Sequence, residues 1–385
     1  MRARLLSIDT LRGAVMILMA LDHTRDYFSN ARFSPLDLAH TTPALFFTRW
    51  ITHFCAPAFV LLAGTSAYLW AASPGKSKPE LARFLLARGV WLIVLELTVI
   101  RFAWFLTLDY EVLLAQVIWA IGWSMILLAG LVFLPDWLIL TFGAALIAGH
   151  NLFDRAGWGG GPGALWTVLH RESMLGLWPG HSLYVLYPLV PWIGVMALGY
   201  VLGRLFLRGP RERRAWLLRT GSGLLLGFTL LRFSNLYGDP LDWHSQRNGF
   251  FTLLSFLNVE KYPPSFHFLL MTLGPILIAL ALLERAGGCL AEIPATFGRV
   301  PLFFYVLHLY GIHLLAVGAA WLRYGRADWL FGLNWFFRDG YPPDYGYNLL
   351  GVYLVWLAVM AALYPACRWF AALKRRSGRW WLSYL

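Results

Sequence analysis

The chain has 385 residues, of which 59% are hydrophobic, 17% aromatic and only 14% charged. No soluble core needs that much apolar material, and several apolar runs approach the roughly 20 residues that cross a bilayer. The net charge of +12 would point to nucleic acid in a soluble domain, but the basic residues cluster in short loops between apolar runs, where membrane topology explains them. Nucleic acid is therefore excluded as a partner and the lipid bilayer is expected.

The fold class read from this pattern is all-α, a polytopic membrane protein of about ten transmembrane helices. They fall near 8–28, 43–72, 82–106, 112–133, 136–152, 184–207, 214–233, 263–284, 299–322 and 346–372. The run after Met1 has no small-residue cleavage site and leads into Asp22, His23, Arg25 and Asp26, so no cleavable signal is expected. Arg2 and Arg4, Lys76, Lys78 and Arg83, Arg208 to Arg219, Arg285 and Arg299, and Lys374 to Arg379 fall on alternate loops. The positive-inside rule makes that side cytoplasmic, with both termini on it. The opposite loops, 29–42, 153–183, 233–262 and 323–345, are longer and hold GWGGGPG at 157–163 and much Trp and Tyr. Acceptor recognition is expected there, although aromatic belts at the interface are the commoner explanation of the rings. There is no internal repeat, so residues 1–385 read as a single domain.

The first helix, SIDTLRGAVMILMALDHTRDYF, carries the most informative pair, Arg12 and His23. Eleven residue steps return to nearly the same helix face, roughly 16 Å further along the axis. Ionisable groups at membrane depth are functional candidates by default. The alternative for Arg12 is a solvated cytoplasmic helix end paired with Asp9. Asp22 or Asp26 is placed to orient the His23 ring.

The second helix holds His53 in HFCAP and a small-residue patch from Ala63 to Ala67, which suits close helix approach. Alone, His53 reads as a packing histidine; with His23, Asp26 and His40 it reads as part of a polar pocket near the outer side. In GRVPLFFYVLHLYGIHLL, His308 and His313 are five apart, on different faces and wrongly spaced for a zinc pair. No metal is expected. Arg299 at the start of that helix is either a snorkelling anchor or a phosphate contact. His170, His181 and His244 read as ordinary loop residues. Cys55, Cys289 and Cys367 have no paired spacing, so no disulfide is expected.

These segments, with YPLVPWIGVMALGY at 187–200 and KYPPSFHFLLMTLGP at 261–275, resemble the bacterial members of the heparan-α-glucosaminide N-acetyltransferase catalytic-domain family. The Arg-x10-His spacing is also similar to that of the membrane O-acetyltransferases. The resemblance implies a transmembrane acyltransferase of the bacterial inner membrane, with acetyl-CoA as cytosolic donor and a carbohydrate or glycolipid amine or hydroxyl as acceptor on the far side. By position it implies Arg12 with His23, and His308 or His40, as functional residues; the residue pattern itself adds Arg299 as a second donor phosphate contact and His53 and Asp26 to the catalytic set. The animal lysosomal enzyme has Asn in place of His23, and its proposed catalytic histidine falls nearest His40, so the choice of imidazole stays open. Direct transfer with histidine as general base is favoured over an acetyl-histidine relay. A homodimer is compatible with this reading. The competing readings are a transporter or flippase for an anionic or sugar-linked lipid, and a non-catalytic assembly partner.

Overall fold

The computed structural model describes residues 5–154, 163–377 and 382. Arg2, Arg4, Trp158, the glycine-rich run at 157–162 and Arg379 lie outside the described residues. The chain runs through α1 (Leu6–Phe28), α2 (Pro43–Trp50), α3 (Cys55–Ala71), α4 (Lys78–Leu95), α5 (Arg101–Phe105), β1 (Val112–Ala115), α6 (Val117–Leu131), α7 (Asp136–Gly149) and α8 (Ala164–His170). It continues through β2 (Ser173–Trp178), β3 (His181–Val185), α9 (Leu189–Gly203), α10 (Pro210–Ser234), α11 (Gly249–Leu257) and α12 (Phe266–Leu283). The last elements are α13 (Cys289–Gly298), α14 (Pro301–Tyr324), α15 (Gly332–Phe337) and α16 (Leu349–Arg376).

All ten apolar stretches fall largely on helices. By length and composition, 6 spans among the described residues are apolar enough to cross a bilayer: Pro43–Ala71, Asp136–Phe153, Leu189–Leu207, Phe266–Leu283, Pro301–Tyr324 and Leu349–Arg376. This is a multi-pass membrane protein. The all-α expectation needs one correction, a 3-stranded sheet of order β1-β3-β2, with β2 and β3 antiparallel. The residues at 112–115 and 184–185, read as helix ends, belong to it. A second correction is α13, which occupies a stretch read as loop because Gly287, Gly288 and Pro294 interrupt its pattern.

The chain divides into two compact units. The first comprises Ala56–Leu97 and Leu113–Ala286. Its helix pairs meet at glycines: Gly89 with Gly122, Gly143 with Gly194, and Gly221 with Gly274. A methyl added to either member of a pair would lie 2.6–3.0 Å from the other's carbonyl oxygen. Small residues let backbones approach where lipid offers no hydrophobic drive. Gly64, in the small-residue patch of the second predicted helix, meets the backbone of Met196 and Gly199 on α9 in the same way, and Thr65 Oγ1 donates to the Gly199 carbonyl at 3.0 Å.

The second unit comprises Leu6–Cys55, Thr98–Val112 and Gly287–Leu385. Its centre is α1, which is too polar to count among the six apolar spans yet is buried along most of its length. Charged residues are tolerated at membrane depth when protein encloses them, and α13, α14 and α16 pack against α1. Gly13 and Gly298 set the α1–α13 crossing, since a methyl on either would run into the opposite backbone. Thr10 Oγ1 donates to the Ala291 carbonyl at 3.1 Å, Cys55 Sγ to Val15 at 3.1 Å, and Trp356 Nε1 to Ile17 at 2.9 Å. At the end of α1, the Asn30 N–H donates to the Tyr347 carbonyl at 3.0 Å and the Tyr347 N–H donates to the Phe28 carbonyl at 2.7 Å, while Gly346 adopts φ +100 with no room for a side chain against Ser29 and Asn30.

Candidate functional site

His23 on α1 and His308 on α14 come together: Nδ1 of His23 lies 2.8 Å from Nε2 of His308, with ring centroids 5.0 Å apart and 14° between planes. His308 is fully buried, and its Nδ1 lies 3.0 Å from the Phe304 carbonyl. A carbonyl only accepts, so His308 Nδ1 carries the proton and its Nε2 offers a lone pair. His23 must then donate from Nδ1, which leaves the basic lone pair of a neutral His23 on Nε2. The backbone of α14 thus sets the tautomer of an imidazole on α1.

The carboxylates near His23 are engaged elsewhere. Asp22 pairs with Arg25 at 2.8 Å and with Arg49 of α2, while Asp26 pairs with Arg25 at 2.7 Å. The His308 imidazole is placed to orient His23, and Asp26 is paired with Arg25. Arg49 gives no signal in sequence, because an arginine two turns into a short helix reads as an ordinary interface cation. His53 is fully buried on the 3₁₀ turn Ile51–Phe54 that joins α2 to α3. His40 is on the exposed loop after α1, its Nδ1 2.7 Å from Asp37.

An aromatic wall completes the surroundings. The Trp104 indole of α5 stands edge-on to His23 at 4.9 Å. Trp335 of α15 stacks against Tyr27 at 5.1 Å and lies 5.2 Å from Trp104. Trp104 is 4% exposed, and its Nε1–H makes no hydrogen bond among the described residues. A buried, unspent donor beside a base is where developing negative charge is best received. Sequence reading missed Trp104, since one Trp among 20 carries no mark of its own. The second histidine of α14, His313, has Nδ1 2.8 Å from the Ala103 carbonyl and Nε2 2.7 Å from that of Leu330. It fixes α5 and the turn at Asp328–Leu330 around the wall. Arg101 does the same for the loop after α5, donating to the carbonyls of Val112, Thr107 and Asp109.

Arg12 lies eleven residues before His23 on α1. It pairs with Asp9 at 3.4 Å and donates to the Gly298 carbonyl at 3.2 Å, next to Arg299. The distance along α1 from Arg12 to His23 is roughly 16 Å at helical rise. Arg299 pairs with Glu292 at 2.9 Å and lines a cavity of about 180 Å³ together with Thr296, Tyr364, Arg368 and Arg375. Three guanidinium groups against one carboxylate give this cavity a surplus of positive charge. Arg368 and Arg375 reach it from the last turns of α16, where sequence reading saw only a basic helix end.

The sequence profile described as heparan-alpha-glucosaminide N-acetyltransferase, catalytic, matches residues 4–231. That stretch is more than half of the chain. The protein belongs to this family, and the family makes it a transmembrane acetyltransferase. The matched stretch contains Arg12, His23, His40 and His53, whereas Arg299 and His308 lie beyond it. No curated protein matches the chain.

Proposed function

We propose that the protein transfers an acetyl group from acetyl-CoA, bound from the cytoplasmic side, to a sugar amine or hydroxyl on the opposite face of a bacterial inner membrane. Both termini face the cytoplasm in this reading, following the distribution of Lys and Arg. The observation that carries it is the His23–His308 pair, whose tautomers leave a basic Nε2 on His23. The arginine cavity supports the donor half: guanidinium groups suit phosphate oxygens, and acetyl-CoA is a phosphate-rich thioester. Arg12 holds positive charge at the α1–α13 crossing, beside the Gly298 carbonyl that precedes Arg299 and about 16 Å from His23 along α1, a length the pantetheine arm spans.

In the transfer, His23 Nε2 takes a proton from the acceptor N–H or O–H as the acceptor atom attacks the thioester carbonyl. Trp104 Nε1–H donates to the tetrahedral oxyanion. Collapse breaks the C–S bond, and the leaving CoA thiolate takes the proton back from the His23 imidazolium. His308 acts through His23: its Nε2 accepts from His23 Nδ1 throughout, orienting the ring and stabilising the cation. Asp22 and Asp26 neutralise Arg25 and Arg49, and so keep those cations from opposing protonation of His23. His53 supports the turn between α2 and α3. His40 belongs to the outer loops that meet the acceptor, where Trp335 and Tyr341 offer ring faces to a sugar. Burial pushes the Tyr341 phenol up to about 12, so it stays a hydrogen-bond donor at physiological pH.

The test is transfer of radiolabelled acetyl from acetyl-CoA to a panel of amino sugars and glycolipids by the protein in proteoliposomes. Wild type should label at least one acceptor, and His23→Ala should not. No acetyl-CoA-dependent labelling of any acceptor by well-folded protein would overturn the reading and favour the transporter alternative.

A further inference from the structure

A second histidine cluster lies in the other unit, outside everything used above. His150, Asp154 and His170 each offer one ligand atom, and those atoms all lie within 4.8 Å of one another. His150 opens the 3₁₀ turn His150–Phe153 that follows α7, Asp154 comes one turn later, and His170 ends α8. From these positions we propose that His150, Asp154 and His170 form a binding site for a divalent transition-metal ion, with Zn²⁺ the best match.

Two imidazoles and one carboxylate are a typical zinc donor set, with bonds near 2.0–2.2 Å and a fourth position for water. Asp154 is the exposed member of the three, so water can reach the ion from its side, while both imidazoles are buried. His150 is 2% exposed, and neither of its ring nitrogens completes a hydrogen bond within normal geometry, although the Pro264 carbonyl lies near the ring. A buried imidazole with both nitrogens unspent calls for a partner. A metal on one nitrogen would supply it, with the other N–H turned to Pro264 in the manner of ligating histidines.

The carboxylate is already aimed and braced. Asp154 Oδ1 lies 2.9 Å from His170 Nε2. Its other oxygen accepts from Asn151 Nδ2 at 2.7 Å, and Asn151 Oδ1 accepts from the backbone N–H of Phe266 at 2.8 Å. Supports of this kind around a carboxylate ligand are what metal sites need. Metal binding replaces the His170–Asp154 hydrogen bond: the ring proton moves to Nδ1, Nε2 gives its lone pair to the ion, and the ring stays neutral. The ion would clip the chain between positions 150 and 170 and brace it, through Asn151, against the start of α12. The sequence pattern alone predicts no metal and places His170 in a loop, whereas His170 ends α8 beside His150 and Asp154. The three ligands are spread over a H-x3-D pair and a distant histidine, which no short motif marks.

The experiment uses full-length protein purified without a histidine tag and stripped with EDTA. Titration with Co²⁺, followed by visible d–d absorption, should show one equivalent bound per chain, displaced by Zn²⁺. His150→Ala and His170→Ala should each weaken binding at least tenfold, while His244→Ala should leave it unchanged. Asp154→His, which keeps three ligands, should retain an absorption band and guards against loss by misfolding. A wild type that elutes as folded protein and takes up no Co²⁺ or Zn²⁺ would overturn the proposal. So would a band that survives in both His150→Ala and His170→Ala.

Discussion

The two histidine clusters use similar residues to opposite ends. Around His23 the carboxylates Asp22 and Asp26 pair with Arg25 and Arg49, and the imidazole has the His308 ring among its partners. Around His170 the carboxylate of Asp154 is held on the imidazole and by Asn151, and among the described residues no arginine pairs with it. In the readings proposed above, the first arrangement serves as a neutral base that takes a proton and the second as a ligand set for a cation. At the first cluster it is Arg25 and Arg49 that take up the carboxylates, and Arg49 is brought there from α2 by helix packing.

The largest test of this contrast is removal of each imidazole in turn. His23→Ala should lower acetyl transfer about 10²–10⁴-fold, the range for loss of a general base, with donor affinity retained. His308→Gln should lower turnover by less, roughly ten- to a hundredfold, and also shift the pH profile of kcat, because it changes the basicity of His23 instead of removing it. His170→Ala should leave transfer per folded molecule unchanged. Equal loss in all three variants, measured with radiolabelled acetyl-CoA, would erase the functional distinction between the clusters.

A smaller effect is expected at the arginine cavity. Arg299→Ala, Arg368→Ala and Arg375→Ala each remove a charge-assisted contact worth about 1.5–3 kcal/mol, so each should weaken donor binding roughly ten- to a hundredfold. The affinity of the wild type should fall with added salt more steeply than that of the variants. The backbone crossings test packing in the two units separately. Gly298→Ala and Gly89→Ala both force a methyl against backbone and should destabilise by about 1–3 kcal/mol in thermal unfolding. Only Gly298→Ala should also reduce transfer, since it moves α13 against α1 beside Arg12.

The smallest expected effect is a pH dependence in the loop after α10. Burial pushes the Asp239 carboxyl up to about 6, against hydrogen bonds from Ser265 and backbone amides and the charge of Arg232. A raised pKa means that folding favours the protonated form. That contribution is complete below about pH 4 and is lost as pH rises through 6. The melting temperature of Asp239→Asn should therefore fall less than that of wild type between pH 4 and 7.

Much of the helical layout was legible in the sequence, because long apolar runs report burial in lipid regardless of tertiary detail. The small-residue patch at Ala63–Ala67 was also legible as a helix contact, and Gly64 makes it. The short elements escaped: α13 is broken by Pro294, and β1 to β3 are too brief to separate from helix ends. His23 and His308 could each be singled out, but their meeting across 285 residues could not. Nor could the capture of Asp26 by Arg25, since the same spacing permits a bond to His23. Trp104 and the His150 cluster were missed for a shared reason: their significance lies in an unspent donor or in converging side chains, which only packing creates.

The most direct test of the central claim is calorimetric titration of acetyl-CoA into the purified protein in nanodiscs, for wild type, Arg299→Ala/Arg375→Ala and His23→Ala. The account predicts saturable binding to wild type, binding at least tenfold weaker in the arginine variant, and undiminished binding in His23→Ala. Absence of binding to folded wild type, or binding indifferent to both arginines, would contradict it.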